Sequence, residues 1–220
     1  MAKVKENIET ITRSRRVGLK DICVAVVTTN DEDVYAAEVP VRLAKAISAT
    51  VKDTFSVEYT YSDDEVEDTV ETYEKTEIEV EVNTLAPGDY ALLFDTLYKF
   101  GFLVKAESDR AKEIALGFRA KQANNKYEFN WYYCGKAEHP DETYETIKDK
   151  KTAQTMKITF SFYARKKEDT ADGKKFKAYC IKVDESNLLE EHTTAKEAIA
   201  DWFGAVQEYT PVPAGEQQGQ

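Results

Sequence analysis

The side chains that most often carry catalysis or metal binding are few in this sequence. Its two histidines are His139, next to Pro140, and His192, which stands among acidic residues. Neither has a partner at a spacing typical of paired metal ligands. The sequence also contains no glycine-rich phosphate-binding loop and no nucleophile motif. We therefore expect surface histidines, no cofactor, no bound metal and no enzymatic activity.

The three cysteines point to a reducing compartment. Cys23, Cys134 and Cys180 are odd in number, widely spaced and free of any CxxC pair, which predicts buried free thiols rather than disulfides. No window resembles a secretory leader or a run of ~18 apolar residues. These features predict a soluble, cytosolic protein without membrane contact.

Acidic residues are the remaining candidates for chemistry. The stretch SDDEVED (62–68) has enough carboxylates to suggest calcium, but it lacks the glycine and the final glutamate that an EF-hand loop needs. We therefore predict a solvated, mobile loop here. Its acidic residues are Asp63, Asp64, Glu65, Glu67 and Asp68.

A second acidic pattern follows directly. In KTEIEVEVNTL (75–85), Glu77, Glu79 and Glu81 alternate with Ile78, Val80 and Val82. A period of two is typical of a β-strand with one apolar and one polar face. The sequence predicts that the three apolar side chains face the core and that the three glutamates, here called the acidic row, face the other way.

Charge is distributed unevenly along the chain, whose net charge is −11. Residues 58–81 contain eleven acidic residues and one lysine, whereas residues 150–177 contain nine basic and three acidic residues. The basic segment includes Arg165, Lys166 and Lys167. The sequence therefore indicates a polarised molecule rather than a uniformly acidic one.

The elements that must position these residues are mainly strands. Alternating apolar residues predict several of them, with hairpin turns at Asn124-Asn125 and Asp172-Gly173. The clearest rows are Ile114, Leu116 and Phe118; Tyr127, Phe129, Trp131 and Tyr133; and Met156, Ile158, Phe160 and Phe162. The aromatic row could stack bases, but because no basic residues are interleaved with it we interpret it as a core face.

Two helices are predicted. The first is capped by Asp89 and followed by Gly101. Its apolar face consists of Tyr90, Leu93, Phe94 and Leu97. The second begins at a Thr194–Glu197 capping box, with a face of Ala195, Ile199, Trp202, Phe203 and Val206. The predicted organisation is an N-terminal arm (1–16), a β domain (17–207) and a flexible C-terminal tail (208–220). We predict a mainly β fold, an antiparallel sandwich or barrel with one or two peripheral helices and extended loops or arms.

The order of several motifs resembles one protein family. These motifs are RVGLKDICVAVVTTNDEDVY (16–35), AKAISATV (44–51), YTYSDDEVED (59–68), EIEVEVNTL (77–85), ALGFRAKQANNKYEFNWYYCGKA (115–137) and WFGAV (202–206). Together they resemble the major tail protein, or tail tube protein, of long-tailed siphophages and related prophages of Gram-positive bacteria. The resemblance spans roughly residues 16–206.

This resemblance implies a structural protein of the virion tail, made in the host cytoplasm. Six copies form a ring, and stacked rings form a tube through which the genome passes without specific binding. The implied partners are further copies of the chain, the tape measure protein, the tail terminator and the distal tail proteins. Nothing catalytic is implied.

Within such a tube, the acidic row and the acidic loop at 63–68 would have different functions. DNA is held by basic groups through counterion release, so a lumen lined by Glu77, Glu79 and Glu81 would repel phosphates and let DNA slide. The alternative is that the acidic row solvates the outer wall. We also predict that the acidic loop at 63–68 contacts Arg165, Lys166 and Lys167 of a neighbouring ring.

Two other functions fit the composition. An acidic DNA-mimic protein would occupy a phosphate-binding groove on an enzyme, although its carboxylates should be spread over the surface rather than concentrated in 58–81. The tube of a contractile tail, or of a phage-tail-like bacteriocin, would share the fold. The sequence does not distinguish this last alternative from a non-contractile tail.

Overall fold

The computed structural model describes residues 11–62, 65–144, 146, 155–171 and 173–210. The described chain is mainly β, as predicted. Its strands are β1 (Arg16–Asn30), β2 (Tyr35–Ala37), β3 (Val41–Arg42), β4 (Ala46–Ser62), β5 (Glu65–Val82), β6 (Leu97–Lys99), β7 (Phe102–Val104), β8 (Ile114–Gln122), β9 (Tyr127–Ala137), β10 (Met156–Tyr163), β11 (Glu168–Ala171), β12 (Lys174–Lys177) and β13 (Cys180–Asp184). The helices are α1 (Pro87–Phe94) and α2 (Thr193–Ala200).

Most strands belong to one large antiparallel sheet. Its order is β2-β1-β8-β9-β10-β5-β4, with β3 added to β1 and β13 added to β9. The hairpins β6–β7 and β11–β12 form separate two-stranded sheets. Asn125 and Gly173 have positive φ angles of 67° and 74° in the two predicted hairpin turns, which is the conformation that tight turns require.

The main core lies on one face of this sheet, which curls around it. Ile78, Val80 and Val82 are fully buried there, as their alternation with the acidic row predicted. The apolar rows of β8 and β10 converge on the same cluster, and α1 closes one end of it with Tyr90, Leu93 and Phe94. The period-two rows therefore mark core faces in three strands.

The opposite face of the sheet is covered by α2 and the turn that follows it. Trp131 packs there with Trp202 and Phe129, and the indole N–H of Trp131 donates to the backbone carbonyl of Trp202 at 3.0 Å. Tyr133 is also fully buried. The prediction that the aromatic row of β9 is a core face is confirmed for these three members, and Tyr127 is half-buried.

The cysteines are free, as predicted, and unevenly buried. Cys23 and Cys134 are buried, whereas Cys180 is half-buried. Burial raises the pKa of the Cys134 thiol above its ordinary value. This favours the protonated, unreactive form at neutral pH.

The first helix is shorter than predicted. It begins after Ala86, whose N–H donates to the Asp89 carboxylate at 2.7 Å. It ends at Phe94, because Asp95 takes a left-handed φ of 57°. The prediction that Leu97 continues the helical face is therefore wrong: Leu97 belongs to β6 and is exposed.

The second helix also differs from the prediction. It begins after His192, whose Nδ1 accepts from the Leu189 N–H at 3.1 Å, so the predicted Thr194–Glu197 capping box does not start it. Because α2 ends at Ala200, Trp202 lies in the following turn, where it is nevertheless buried.

Both termini of the described chain contact the body. The N–H of Thr12 donates to the Asn187 side chain at 2.8 Å, and the Arg15 carbonyl accepts from Ala123 at 2.9 Å. At the other end Glu208 pairs with Lys167 at 2.7 Å. These residues of the predicted arm and tail therefore pack against the folded body.

Close packing makes one glycine of β8 difficult to replace. A Cβ on Gly117 would lie 2.7 Å from three ring atoms of Trp131, which is held by its hydrogen bond to Trp202. We expect Gly117→Ala to lower the free energy of unfolding by about 1–3 kcal/mol, the usual cost of overpacking. Gly18→Ala is the control, since its Cβ would meet nothing closer than Lys121 at 4.0 Å. Urea denaturation measures both, and equal stabilities would contradict this packing.

Candidate assembly surfaces

The acidic row lies on the face of β5 that points away from the core. Glu79 is exposed, whereas Glu77 and Glu81 are half-exposed. The register sets them beside polar residues of both neighbouring strands. These neighbours are Lys52, Thr50 and Ser48 of β4, and Ser161, Thr159 and Lys157 of β10. The predicted opposition of glutamates and apolar residues is confirmed.

The row is less negative than its sequence suggests. Lys75 pairs with Glu77 at 2.7 Å, and Lys157 pairs with Glu79 at 2.8 Å. Glu81 instead accepts hydrogen bonds from the hydroxyl of Thr155 at 2.7 Å and that of Ser48 at 3.2 Å. The hydrogen bond from Lys75 lowers the pKa of Glu77 below its ordinary value, so this carboxylate stays charged. The acidic row is thus part of a solvent-facing surface on which cations are interleaved with carboxylates.

The acidic segment that precedes the row is not a loop throughout. Glu65, Glu67 and Asp68 lie within β5, so the prediction of a mobile loop is wrong for them. Glu65 pairs with Ser62 and Asp68 with Thr60 of β4, whereas Glu67 lies at a register shift between these pairs. Asp63 and Asp64 lie outside the described residues. The two strands pair despite the charge because both are rich in Thr, Val and Tyr, which favour extended backbone.

These two strands form a hairpin arm that outgrows the sheet. β10 pairs with β5 only as far as Thr76, so residues 65–75 have β4 as their only strand partner in the described chain. A bulge at Thr54–Phe55 marks the start of this extension. An isolated two-stranded ribbon has marginal stability in water. Within the protomer Tyr73 supports the base of the arm, since its ring stacks on Tyr179 with 4.0 Å between centroids.

The edge strand β4 presents apolar side chains to solvent. β4 pairs only with β5 within the described residues. Its exposed apolar residues are Ile47, Val51, Phe55, Val57 and Tyr59. Soluble monomers protect such an edge with charges, prolines or short strands. β4 is long, with 17 residues, and carries three exposed charged residues, Lys52, Asp53 and Glu58.

One of the three predicted basic contacts is buried. Arg165 is completely inaccessible, pairs with Asp169 and Glu208 at 2.5 Å each, and lies over the ring of Tyr133 at 4.4 Å. It cannot also meet an acidic segment of a neighbour, so that prediction is wrong for Arg165. The two carboxylates and the rings of Tyr35 and Tyr133 stabilise the guanidinium, since an unpaired buried charge is costly.

The other two predicted basic contacts, Lys166 and Lys167, differ in how far they are free to pair with a neighbouring copy. Lys167 is half-buried and pairs with Glu208 of its own chain at 2.7 Å. Lys166 is exposed, and no ion pair engages it within the part of the chain that the structure describes. Lys175 pairs with Glu168 of its own chain at 3.1 Å. The basic surface left for a partner is therefore Lys166 together with two exposed lysines of the β11–β12 hairpin, Lys174 and Lys177.

A further surface, the β6–β7 hairpin, escaped the sequence prediction. Its segment LYKFGFLV was partly assigned to the first helix, yet it folds back at Phe100-Gly101, where φ is 54° and 84°. The aromatic-glycine turn between two short apolar runs was the available signal. The exposed apolar residues of this hairpin are Leu97, Tyr98, Phe100, Phe102 and Val104.

Two comparisons of the sequence with known proteins found no match. No protein-family model matches the chain, and no curated protein sequence matches it. No group of three or more histidine, cysteine or carboxylate side chains in the described residues could hold a metal ion. Neither described helix is long and apolar enough to cross a membrane.

Proposed function

We propose that this chain is a tail tube protein, which forms six-membered rings that stack into the tail tube of a long-tailed phage. The observation that carries the proposal is the long edge of β4, which has no second strand partner in the described residues, with its exposed apolar residues and projecting hairpin arm. These features suit a protein whose strand edges become interfaces. The order of motifs in the sequence supports the same class.

In this proposal the chain is its own main partner. The tape measure, tail terminator and distal tail proteins would meet it at the ends or inside of the tube. The protein is a non-enzymatic component of the virion. The acidic row with its lysines lines the lumen, where a hydrated face with little excess charge neither binds nor blocks passing DNA.

Blocking the β4 edge should prevent assembly without unfolding the protomer. Lysine at Val57 and Tyr59 places charge on an edge that is already exposed, and edge lysines disfavour strand addition. We expect the double variant to remain monomeric by sedimentation velocity, with an unfolding midpoint close to wild type. Val34→Lys with Val39→Lys, also at exposed positions, is the matched control and should assemble normally. Assembly of the Val57/Tyr59 variant at wild-type concentrations would refute the edge interface.

Reversing the acidic row should make the tube retain DNA. The triple variant has lysine at positions 77, 79 and 81, which adds three positive charges to a face that already carries Lys52, Lys75 and Lys157. It loses two exposed ion pairs, and each loss should cost only ~0–1 kcal/mol of folding free energy. We expect tubes that bind duplex DNA strongly at low salt and release it as salt rises. Electrophoretic retention of DNA by purified tubes measures this.

The control for this reversal changes net charge equally at scattered positions. Glu38, Glu107 and Glu197 are exposed and lie outside β5, and their replacement by lysine should have a smaller effect on retention inside the tube. Equal retention by the two triple variants would place the acidic row outside the lumen.

A further inference from the structure

The β6–β7 hairpin carries an unusual concentration of exposed apolar surface. Phe100 is 88% exposed and Phe102 is 72% exposed. Leu97, Phe102 and Val104 share one face through the pairings Leu97↔Val104 and Lys99↔Phe102. Clustered apolar side chains on so small an element mark an interaction site rather than ordinary surface.

The turn residue Phe100 is unfavourable on two counts in the isolated protomer. Its φ of 54° lies in the left-handed region, where a bulky residue is strained and glycine is preferred. Its ring also gains almost no burial, since its only aromatic or cationic contact in the described structure is Lys99 Nζ, 5.3 Å from the ring centroid. A binding contact made by this ring would offset both costs.

The hairpin is held firmly at its base. Lys105, which directly follows β7, pairs with Glu142 at 2.6 Å and lies 4.6 Å from the Tyr90 ring centroid. Tyr90, itself buried in α1, donates to the same carboxylate at 2.5 Å. Hydrogen bonds from Lys105, Tyr144 and Tyr90 lower the pKa of Glu142 to about 2. Glu142 therefore stays ionised at neutral pH and connects the base of the hairpin to α1.

A complementary cleft lies beside α2. It has a volume of about 360 Å³ and a mainly apolar lining with acidic residues among its members. The lining includes Ile181, Val183, Ala195, Ala198 and Trp202, with Glu191 and Glu208 as its acids and Lys182 as its base. Glu208 is already paired with Arg165 and Lys167. Glu191 is exposed and makes no ion pair among the described residues, so its charge matches the equally unpaired Lys99 beside Phe100.

The hairpin cannot occupy the cleft of its own chain. It follows β5 and α1, so it lies at the end of the sheet where Val82 pairs with Met156. The cleft borders β13, which pairs near the start of β9, with Ile181 opposite Trp131. The distance along β9 from Ala137 to Trp131 is about 20 Å at ~3.3 Å per residue, whereas a three-residue strand reaches only about 10 Å.

We propose that Phe100 of one copy inserts into the α2 cleft of a second copy, with Lys99 paired to Glu191. This rests on the proposed function, in which copies of this chain are the partners. Because the two surfaces differ and lie toward opposite ends of the sheet, the contact is head-to-tail. Such a contact propagates into rings or stacks instead of ending at a dimer.

The test uses one substitution that separates folding from docking. Phe100→Gly removes the ring and fits the left-handed φ, so the melting temperature of the monomer should rise. Assembly should nevertheless require an at least 30-fold higher protein concentration, as expected for loss of a central aromatic anchor. Sedimentation velocity measures assembly, and circular dichroism measures melting.

Charge exchange identifies the receiving surface. Lys99→Glu and Glu191→Lys should each raise the concentration needed for assembly about fivefold. The double variant Lys99→Glu/Glu191→Lys should return it to near the wild-type value, because the pair is restored between copies. If neither reversal has an effect, or the double variant is as poor as the two losses combined, Glu191 does not receive the hairpin.

The outcomes distinguish the two levels of the proposal. If wild type assembles and Phe100→Gly assembles equally well, the hairpin contact is wrong and the tube function stands. If Phe100→Gly fails while both charge variants match wild type, the hairpin docks elsewhere and the cleft assignment is wrong. If wild-type protein remains monomeric at every concentration tested, both the tube function and this contact are wrong.

Discussion

Val80→Asp is expected to unfold the protomer. Val80 is fully buried in the main core, between Ile78 and Val82 of the same strand. A carboxylate there would have no cation or hydrogen-bond donor in place of the solvent it loses. We expect the free energy of unfolding to fall by more than about 4 kcal/mol, which is a large part of the stability of an ordinary domain. Urea denaturation followed by tryptophan fluorescence measures the change.

The neighbouring residue provides the control. Glu79→Lys introduces a charge change one position away on the opposite face, where the only loss is an exposed pair with Lys157. It should cost no more than about 1 kcal/mol. Similar losses for Val80→Asp and Glu79→Lys would mean that the two faces of β5 have been assigned incorrectly.

Arg165→Ala is the second substitution with a large expected effect. It leaves the buried Asp169 carboxylate without its ion pair and empties the space beside Tyr133. Removing one partner of a buried pair typically costs about 3–5 kcal/mol. It also releases one of the two cations that hold Glu208, so the C-terminal segment near Glu208 should exchange its amide hydrogens faster. Both changes can be measured on the purified monomer.

Lys166→Ala is the adjacent control. Lys166 is exposed and has no ion pair in the described chain, so its loss should leave the unfolding midpoint unchanged. If Lys166→Ala instead impairs assembly, the basic surface participates in contacts between copies. A stable Arg165→Ala variant would contradict the structural role of the buried cation.

The parts of the fold that follow local rules could be predicted from the sequence. In β5, β8 and β10 a period of two separates core from solvent, because successive side chains of a strand point to opposite faces. Gly173 and Asn125 mark their hairpins because tight turns need a positive φ. The acidic row was predicted by the same rule, since fixing Val80 in the core fixes Glu79 outside it.

The features that escaped prediction depend on distant residues. Arg165 precedes two lysines and has the local pattern of an exposed basic loop. It is buried only because Tyr35, Tyr133 and Glu208, which are remote in sequence, surround it. Leu97 continued a helical spacing, but Asp95 ended the helix in a left-handed conformation. Lys157 reaches Glu79 from another strand, so the partial neutralisation of the row required knowledge of strand register.

Electron cryomicroscopy of the purified protein at high concentration would show directly whether it forms a tube. We expect hollow tubes of stacked six-membered rings, with the β4 edge at an interface and Glu77, Glu79 and Glu81 on the inner wall. Tubes with these glutamates on the outer wall would refute the lumen assignment alone. A protein that remains monomeric or dimeric and instead binds a nuclease would contradict the tube function itself.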